Sequence, residues 1–394
     1  DRRNRNVWEG FVMQTDVSIV ACATYDPDDC RRALEQVLAP LGGLDWVTEG
    51  MRIVIKVNLV SAMKPEEAAT THPALLCALI EMLRSRGASV LLGDSPGGLY
   101  NAAHLNHVYD VAGMRDCAKC GAELNMDFSQ NTATFPEAAV AKSFTYTAYL
   151  DQADAVIDFC KLKSHGMMGM TNAVKNFFGV IPGTMKPEYH YKYPKAEDFA
   201  NVLVDLAAYF KPRLCICDAV VGMEGNGPTQ GTPRQIGAVA ASQSPYKLDL
   251  ACAKLLGLTA DDVPTLRAAV QRGLCPERAE ELTIAGNLSA FFVSDFQAPK
   301  AQGTVFFGQG GGLFGRLENT AMRAFLTPKP LPQKKTCIGC AKCAHICPAK
   351  AITMKNKLPH IDRKACIHCF CCQEFCPKGA MVVYRPVVAR LLNR

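Results

Sequence analysis

The sequence predicts an α/β fold, an open and mostly parallel sheet with helices on both faces, followed by a small α+β domain at the C-terminus. Three observations lead there. Strand-like and helix-like segments alternate through most of the chain, a proline-rich stretch breaks the alternation near residue 327, and two cysteine runs of identical spacing follow it.

Residues 53–57 form a β-branched run. Residues 73–86 then place Leu75, Leu79 and Leu83 on one helical face, with Pro73 at the start and Gly87 as the stop. Residues 90–92 read as the next strand, so strand, helix and strand make a βαβ unit with a parallel pair. Residues 155–159, 214–217 and 236–240 read as further strands, each followed by a helix. Met13 opens a strand-like run, and residues 1–12, which show no periodicity, read as an unstructured leader. The α/β domain is thus expected over 13–326, a stiff linker over 327–335 and the small domain over 336–394.

Composition bounds the function. With 49% hydrophobic and 20% charged residues in 394, the chain can bury a large core. No apolar run reaches the ~18 residues of a membrane span, and no secretory signal is present. The net charge of +6 is spread over scattered lysines with no aromatic interleaving, which argues against nucleic acid. Nineteen cysteines without an export signal fit a reducing cytoplasm, that of an anaerobe. Cys117 and Cys120 have redox spacing but no strand–helix context, and several of the others sit in apolar runs as small hydrophobes.

Nine of the nineteen cysteines crowd into residues 337–376. Cys337-Ile-Gly-Cys340-Ala-Lys-Cys343-Ala-His-Ile-Cys347-Pro348 and Cys366-Ile-His-Cys369-Phe-Cys-Cys372-Gln-Glu-Phe-Cys376-Pro377 share the C-x2-C-x2-C-x3-C-P spacing and repeat 29 residues apart. This is the pattern of a two-cluster, ferredoxin-like domain. Three near thiolates wrap one face of a cubane, and the fourth cysteine of each run reaches the other cluster. On that rule, Cys337, Cys340, Cys343 and Cys376 hold one [4Fe–4S] cluster, and Cys366, Cys369, Cys372 and Cys347 hold the second. Cys371 falls outside the spacing and reads as a non-ligand. Zinc is the competing reading of such pairs, and two complete runs ending in Cys-Pro argue against it.

Ligands of open α/β sheets bind beyond the carboxyl ends of the strands. Asn58, then Asp94 and Ser95, then Lys161, Lys163 and His165 with Asn172, Lys175 and Asn176, then Asp218 and Glu224 follow successive strands. That edge suits a small anionic ligand. His165, Lys163 and Lys175 are the candidates for charge neutralisation and proton transfer. Asn58, Asp94, Ser95, Lys161, Asn172, Asn176, Asp218 and Glu224 are the candidate ligand contacts. A G-x-G-x-x-G match at 310–315 lacks the second strand and acidic residue of a dinucleotide site, so no flavin or other organic cofactor is indicated.

The runs Val54-Ile-Lys-Val-Asn58-Leu, Thr70-Thr-His-Pro73, Gly93-Asp-Ser-Pro96, Lys161-Leu-Lys-Ser-His165, Asn172-Ala-Val-Lys-Asn176 and Glu224-Gly-Asn-Gly-Pro228, with Asp249, resemble an uncharacterised-domain family numbered 362, often fused to a C-terminal 4Fe–4S domain. The resemblance covers 17–326. It implies that the Lys–His and Asn–Lys–Asn stretches share one site, without naming what binds there.

Two functions follow as expectations. In the first, an iron–sulfur oxidoreductase takes single electrons from a soluble donor such as a ferredoxin and passes them to a small anionic substrate or cofactor at the strand ends. In the second, an electron-transfer or maturation accessory docks on a partner redox enzyme and has no substrate of its own.

Overall fold

The computed structural model of the chain describes residues 15–298 and 328–384. The expected leader at 1–12 and the glycine-rich match at 310–315 lie outside the described residues.

Strand β1 (Val17–Ala21) leads into α1 (Pro27–Leu38), which begins where the Asp26 carboxylate accepts the Asp28 N–H and a proline fills the first turn. Next come β2 (Arg52–Val57) and α2 (Pro73–Arg84). In α2, Leu75, Leu79 and Leu83 are buried as their spacing predicts, and Gly87, at φ +80°, takes the left-handed turn that ends the segment. The chain continues through β3 (Ser89–Gly93), α3 (Ala102–Val111), α4 (Met114–Lys119) and β4 (Glu123–Leu124). A separate hairpin of β5 (Gln130–Thr134) and β6 (Ser143–Thr147) precedes the long β7 (Ala155–His165). After β7 come β8 (Gly169–Thr171), α5 (Ala173–Asn176), α6 (Lys186–Lys192) and α7 (Ala196–Phe210). A long hairpin of β9 (Leu214–Asn226) and β10 (Gln230–Ser242) follows, then α8 (Pro245–Leu255), α9 (Pro264–Gln271) and β11 (Ile284–Ala285).

These strands form one sheet in the order β11–β1–β10–β9–β7–β2–β3–β4, with β8 paired to the far end of β7. From β9 through β7, β2 and β3 to β4 every pair is parallel, whereas β10 is antiparallel to both its neighbours. The architecture is the α/β fold that the alternation predicts. Period-two alternation sends Ile53, Ile55 and Val57 to the face covered by α1–α4, and Val54 to the face covered by α7–α9. Because both faces are covered, the central strands read as near-continuous apolar runs.

Two expectations are corrected. No helix follows β9, which folds straight back as β10. The segment 161–165, expected in a loop, stays within β7, because β8 supplies a partner opposite Lys163 and His165. That pairing continues the strand beyond the β2 and β3 ends and buries all five side chains. Part of the expected linker is also a strand, β12 (Lys329–Pro332), paired antiparallel with β15 (Met381–Tyr384). Between them lie the hairpin of β13 (Ile352–Lys355) and β14 (Leu358–Ile361) and two one-turn helices, Lys342–His345 and Cys371–Glu374.

Phe159, fully buried in β7 at the centre of the sheet, tests this packing. Phe159→Ala is expected to cost about 3–5 kcal/mol, read as a lower denaturant midpoint at unchanged slope.

Candidate functional site

Strand order turns over at β2: the chain leaves it toward β3 and later returns on its other side as β7. Such a switch point opens a crevice beyond the strand ends. Asn58 follows β2, Asp94 and Ser95 follow β3, and Lys163 and His165 end β7. All five line one cavity with Thr171 of β8, Lys175 and Asn176 of α5, Phe178, Gly179 and Lys186.

Two buried networks build the floor. In the first, Lys56 and Asp94 pair at 2.9 Å, and the Asp94 carboxylate also accepts the N–H groups of Leu59 (2.7 Å) and Ser95 (2.8 Å). Asn58 donates to Asn176 (3.0 Å) and accepts from Lys163 (2.9 Å), while Asn176 donates to Asp158 (2.6 Å). Burial pushes the Asp158 carboxyl well above its usual range. The two asparagines, which line the cavity, therefore orient Lys163 within it. In the second network, behind the cavity, Lys161 donates to Asp218 (2.8 Å) and to the Tyr25 hydroxyl (2.8 Å). Tyr25 in turn donates to Asp218 (2.9 Å), and its ring stacks on His72 at 3.5 Å. Lys161 and Asp218, expected as ligand contacts, are wholly buried partners of each other.

Two more expected contacts also lie away from the cavity. Asn172 accepts from the Cys160 thiol under the sheet (2.7 Å), beside Asp249, which accepts the Ala173 and Val174 N–H groups at the start of α5. Glu224 accepts the Gln297 N–H (3.1 Å) near the tip of the β9–β10 hairpin.

What faces the cavity is donor-rich. His165 Nδ1 accepts the N–H groups of Met167 (3.1 Å) and Met168 (3.2 Å), which assigns the proton to Nε2. Among the described residues that Nε2 is buried without a partner, as is Ser95 Oγ. Burial holds His165 well below its ordinary pKa, so at neutral pH it is an uncharged donor. Lys163 uses two of its three ammonium protons, on Asn58 Oδ1 and on Ala69 O (2.6 Å). Lys186 uses two, on Ser95 O and on Ile181 O (2.8 Å). Lys175 makes no hydrogen bond among the described residues and lies 5.0 Å from the Phe178 ring centroid. Burial lowers all three lysines, Lys163 and Lys186 to about 7. Lys186 and Phe178 are absent from the sequence-based reading. Lys56 is missed too, although a lysine inside the β-branched run Ile53–Val57 signals a buried charge that needs a partner.

The opposite wall belongs to the C-terminal domain, since Glu374 lines the same cavity. The hairpin tip grips this stretch: Thr229 Oγ1 donates to Glu374 O (3.0 Å), Gln230 to Cys376 O (3.2 Å), and Gln373 back to Asn226 O (2.9 Å). Gly97 permits the close approach, because a Cβ there would sit 2.2 Å from the Phe375 ring.

The sequence pattern of the family described as Domain of unknown function (DUF362) matches residues 53–254, more than half of the chain. The chain belongs to the DUF362 family. A 4Fe-4S dicluster domain pattern follows the DUF362 domain at 329–377. The Thylakoid-associated protein sll1697 of Synechocystis sp. is 30% identical over 300 residues, spanning 75% of this chain and 91% of that protein. Among solved structures, the lactate racemase apoprotein from Thermoanaerobacterium thermosaccharolyticum is similar with TM-score 0.41 and 14% identity, over 63% of this chain and 58% of that one. A protein from Thermotoga maritima matches with TM-score 0.33 and 9% identity, over 55% of each chain. Among the described residues no helix is long and apolar enough to cross a membrane.

The cysteine geometry of the domain fused to DUF362 fits iron–sulfur chemistry. Cys337, Cys340, Cys343 and Cys376 line one cavity with Ile338, Met354 and Met381. Among the described residues no three His, Cys, Asp or Glu side chains converge to hold a single metal ion. The N–H groups of Ala351 and Ala380, 29 residues apart like the runs themselves, donate to Cys347 Sγ (3.3 Å) and Cys376 Sγ (3.1 Å). Cys371 is buried beside Cys369.

Asp218→Ala tests the structural assignment of the Lys161 network. Stranding a buried ammonium is expected to cost about 3–5 kcal/mol of stability, measured by denaturant unfolding, with iron content unchanged.

Proposed function

We propose that the protein is an iron–sulfur oxidoreductase in which the C-terminal module serves an anionic ligand bound at the strand ends of the DUF362 domain. One observation carries this reading. Glu374 stands two residues from Cys372 and two from Cys376, no more than about 7 Å of backbone, and it lines the cavity that holds Lys163, His165, Lys175 and Lys186.

Cys337, Cys340, Cys343 and Cys376 would hold one [4Fe–4S] cluster, and Cys366, Cys369, Cys372 and Cys347 the other. When bound, the clusters supply single-electron transfer. The residues of this chain do the rest. Lys163, Lys175 and Lys186 neutralise the ligand's charge, and His165 Nε2–H and Ser95 Oγ fix its orientation. Because the pKa values of Lys163 and Lys186 lie close to 7, negative charge building on the ligand draws both into their ammonium forms, which neutralise it. Pro228 of the hairpin tip and Glu374 of the Cys371–Glu374 turn form one wall of the cavity.

The electron donor docks at the open side. Cys340 is exposed, Ile338 is 60% exposed, and Lys342 and Lys378 rim the cavity of the first cysteine set. Such a rim suits an acidic one-electron carrier. All nineteen cysteines are free of disulfides, which accords with work in a reducing cytoplasm.

Two measurements test the reading. Anaerobically purified protein is expected to hold about eight iron atoms per chain, four per cubane, and Cys366→Ala about four; zinc in their place removes the electron-transfer role. Reduced clusters, mixed with the small-molecule fraction of a cell extract, are expected to reoxidise about tenfold or more slowly in Lys163→Ala at equal iron content. Equal rates would detach the pocket from the electron path.

A further inference from the structure

We infer that the strand-end pocket is built for a doubly charged oxyanion of phosphate size, free or as the head of a phosphate monoester. The inference rests on the reading of the pocket as an anion site and narrows its ligand to one charge and one size.

Charge comes first. Lys56 and Asp94 cancel each other in the floor. That leaves the ammonium groups of Lys163, Lys175 and Lys186 facing the carboxylate of Glu374, an excess of two positive charges when the lysines are protonated. No carboxylate lies within 4.0 Å of any of the three among the described residues, whereas Lys56 and Lys161 each have one. A monoanion leaves half of this excess unmet among lysine side chains that are themselves buried, where unpaired charge is costly.

Hydrogen bonding agrees. Apart from the Glu374 carboxylate, the capacity left over among the described residues is donor capacity: three N–H of Lys175, one each of Lys163 and Lys186, His165 Nε2–H and the Ser95 hydroxyl. The acceptors of the floor are taken. Asn58 Oδ1 accepts from Lys163, Asn176 Oδ1 accepts from Lys56 and Asn58, and both Asp94 oxygens are engaged. Ser95 is 1% and His165 4% exposed, so without a ligand both groups pay for burial with nothing bound. An oxyanion with acceptor oxygens on several sides meets such donors from different elements together.

Size decides between dianions. The cavity measures about 50 Å³, and one water needs about 10–15 Å³ on that measure. It takes a group of four or five heavy atoms, the size of phosphate or sulfate. A dicarboxylate spreads its two charges over more atoms than that.

Binding has a proton signature. Besides Glu374, the titratable groups around the three lysines are Cys371 from the module, the Lys56–Asp94 pair, Lys161, and His165 and His190, both kept uncharged by burial. With pKa values near 7, Lys163 and Lys186 are mostly neutral at pH 8. A bound dianion favours their ammonium forms and raises those values. Binding therefore takes up protons at pH 8, and affinity falls as pH rises above 7.

Calorimetric titration of the anaerobically purified full-length protein at pH 8, in two buffers of different ionisation enthalpy, tests this with sulfate, inorganic phosphate, phenyl phosphate and acetate. Sulfate takes no proton itself at this pH, so its binding is expected to show net uptake by the protein. Acetate is expected to bind about tenfold or more weakly. Lys175→Ala and Ser95→Ala are each expected to weaken sulfate by about tenfold, with iron content and thermal midpoint unchanged. Phenyl phosphate binding more tightly than phosphate assigns the pocket to a phosphoryl head group, and the reverse order to a free oxyanion; both support the inference. Acetate binding as tightly as sulfate, sulfate binding without proton uptake, or undiminished binding in both variants overturns it. Absence of binding by all three dianions also overturns it while leaving the electron-transfer reading intact, since cluster reoxidation tests that separately.

Discussion

Five lysine side chains are buried at one end of the sheet, and the way each ammonium is satisfied shapes the rest of the molecule. Lys56, Lys161 and Lys163 are at most 1% exposed, Lys186 8% and Lys175 9%. A buried charge is tolerated when paired and fully hydrogen-bonded. Lys56 and Lys161 meet that condition through Asp94 and Asp218, and each pair ties strands together below the cavity. Lys163 and Lys186 lean on carbonyl oxygens, and Lys175 on an aromatic face. These last three carry the strain of uncompensated charge, which is why burial lowers their pKa values. Charge kept unpaired at a strand-end switch point meets no packing need, which is what makes this crevice the candidate site.

The C-terminal module completes this site. Its Cys371–Glu374 turn is the wall that the α/β domain lacks, and the long β9–β10 hairpin exists to hold it there. The hairpin tip offers the Asn226 carbonyl, Thr229 and Gln230 to Gln373, Glu374 and Cys376 in turn. Gly97 leaves room for Phe375 on the other side of the turn. Fusion of the two domains in one chain therefore has a geometric meaning: a residue of the cysteine-bearing turn, Glu374, lines the strand-end cavity of the α/β domain.

Local signals were legible in the sequence, and long-range ones were not. The cysteine runs announce themselves because four thiols at fixed spacing have one geometric use. The α2 helix and the parallel strands follow from periodicity, and strand ends point to Asn58, Ser95, Lys163, His165 and Lys175. Lys161 and Lys163, two apart in one strand, looked equivalent. A register shift between β7 and β9 separates them, setting Lys161 opposite Asp218 and Lys163 opposite Met223, and only pairing across the sheet decides which one is spent on structure. Asp94, Asp218 and Glu224 looked like ligand groups because carboxylates at strand ends often are, but each is consumed by a partner distant in sequence. Lys186 and Glu374 enter the pocket from a helix and a domain that no local pattern links to it. The helix expected after residues 214–217 failed to form because an antiparallel return is as compatible with an apolar run as a crossover is.

The internal repeat of the module gives the proposed electron path a direction. Superposing the two cysteine runs by their 29-residue offset places Lys342 on Cys371 and His345 on Glu374. Ala341 and Phe370, which precede the two one-turn helices, share the left-handed conformation at φ 58° and 61°, so the backbones of the two halves match. The side chains do not. Lys342 and His345 are exposed, beside a solvent-facing Cys340, whereas Cys371 is buried and Glu374 is turned into the lysine pocket. One half has kept a charged surface that a soluble partner can meet, and the other has exchanged it for a surface that fits a single cavity in its own chain. Had the module served only to shuttle between partners, both halves would gain from open surfaces. The asymmetry makes sense when electrons arrive at the first half from outside and leave from the second into the pocket.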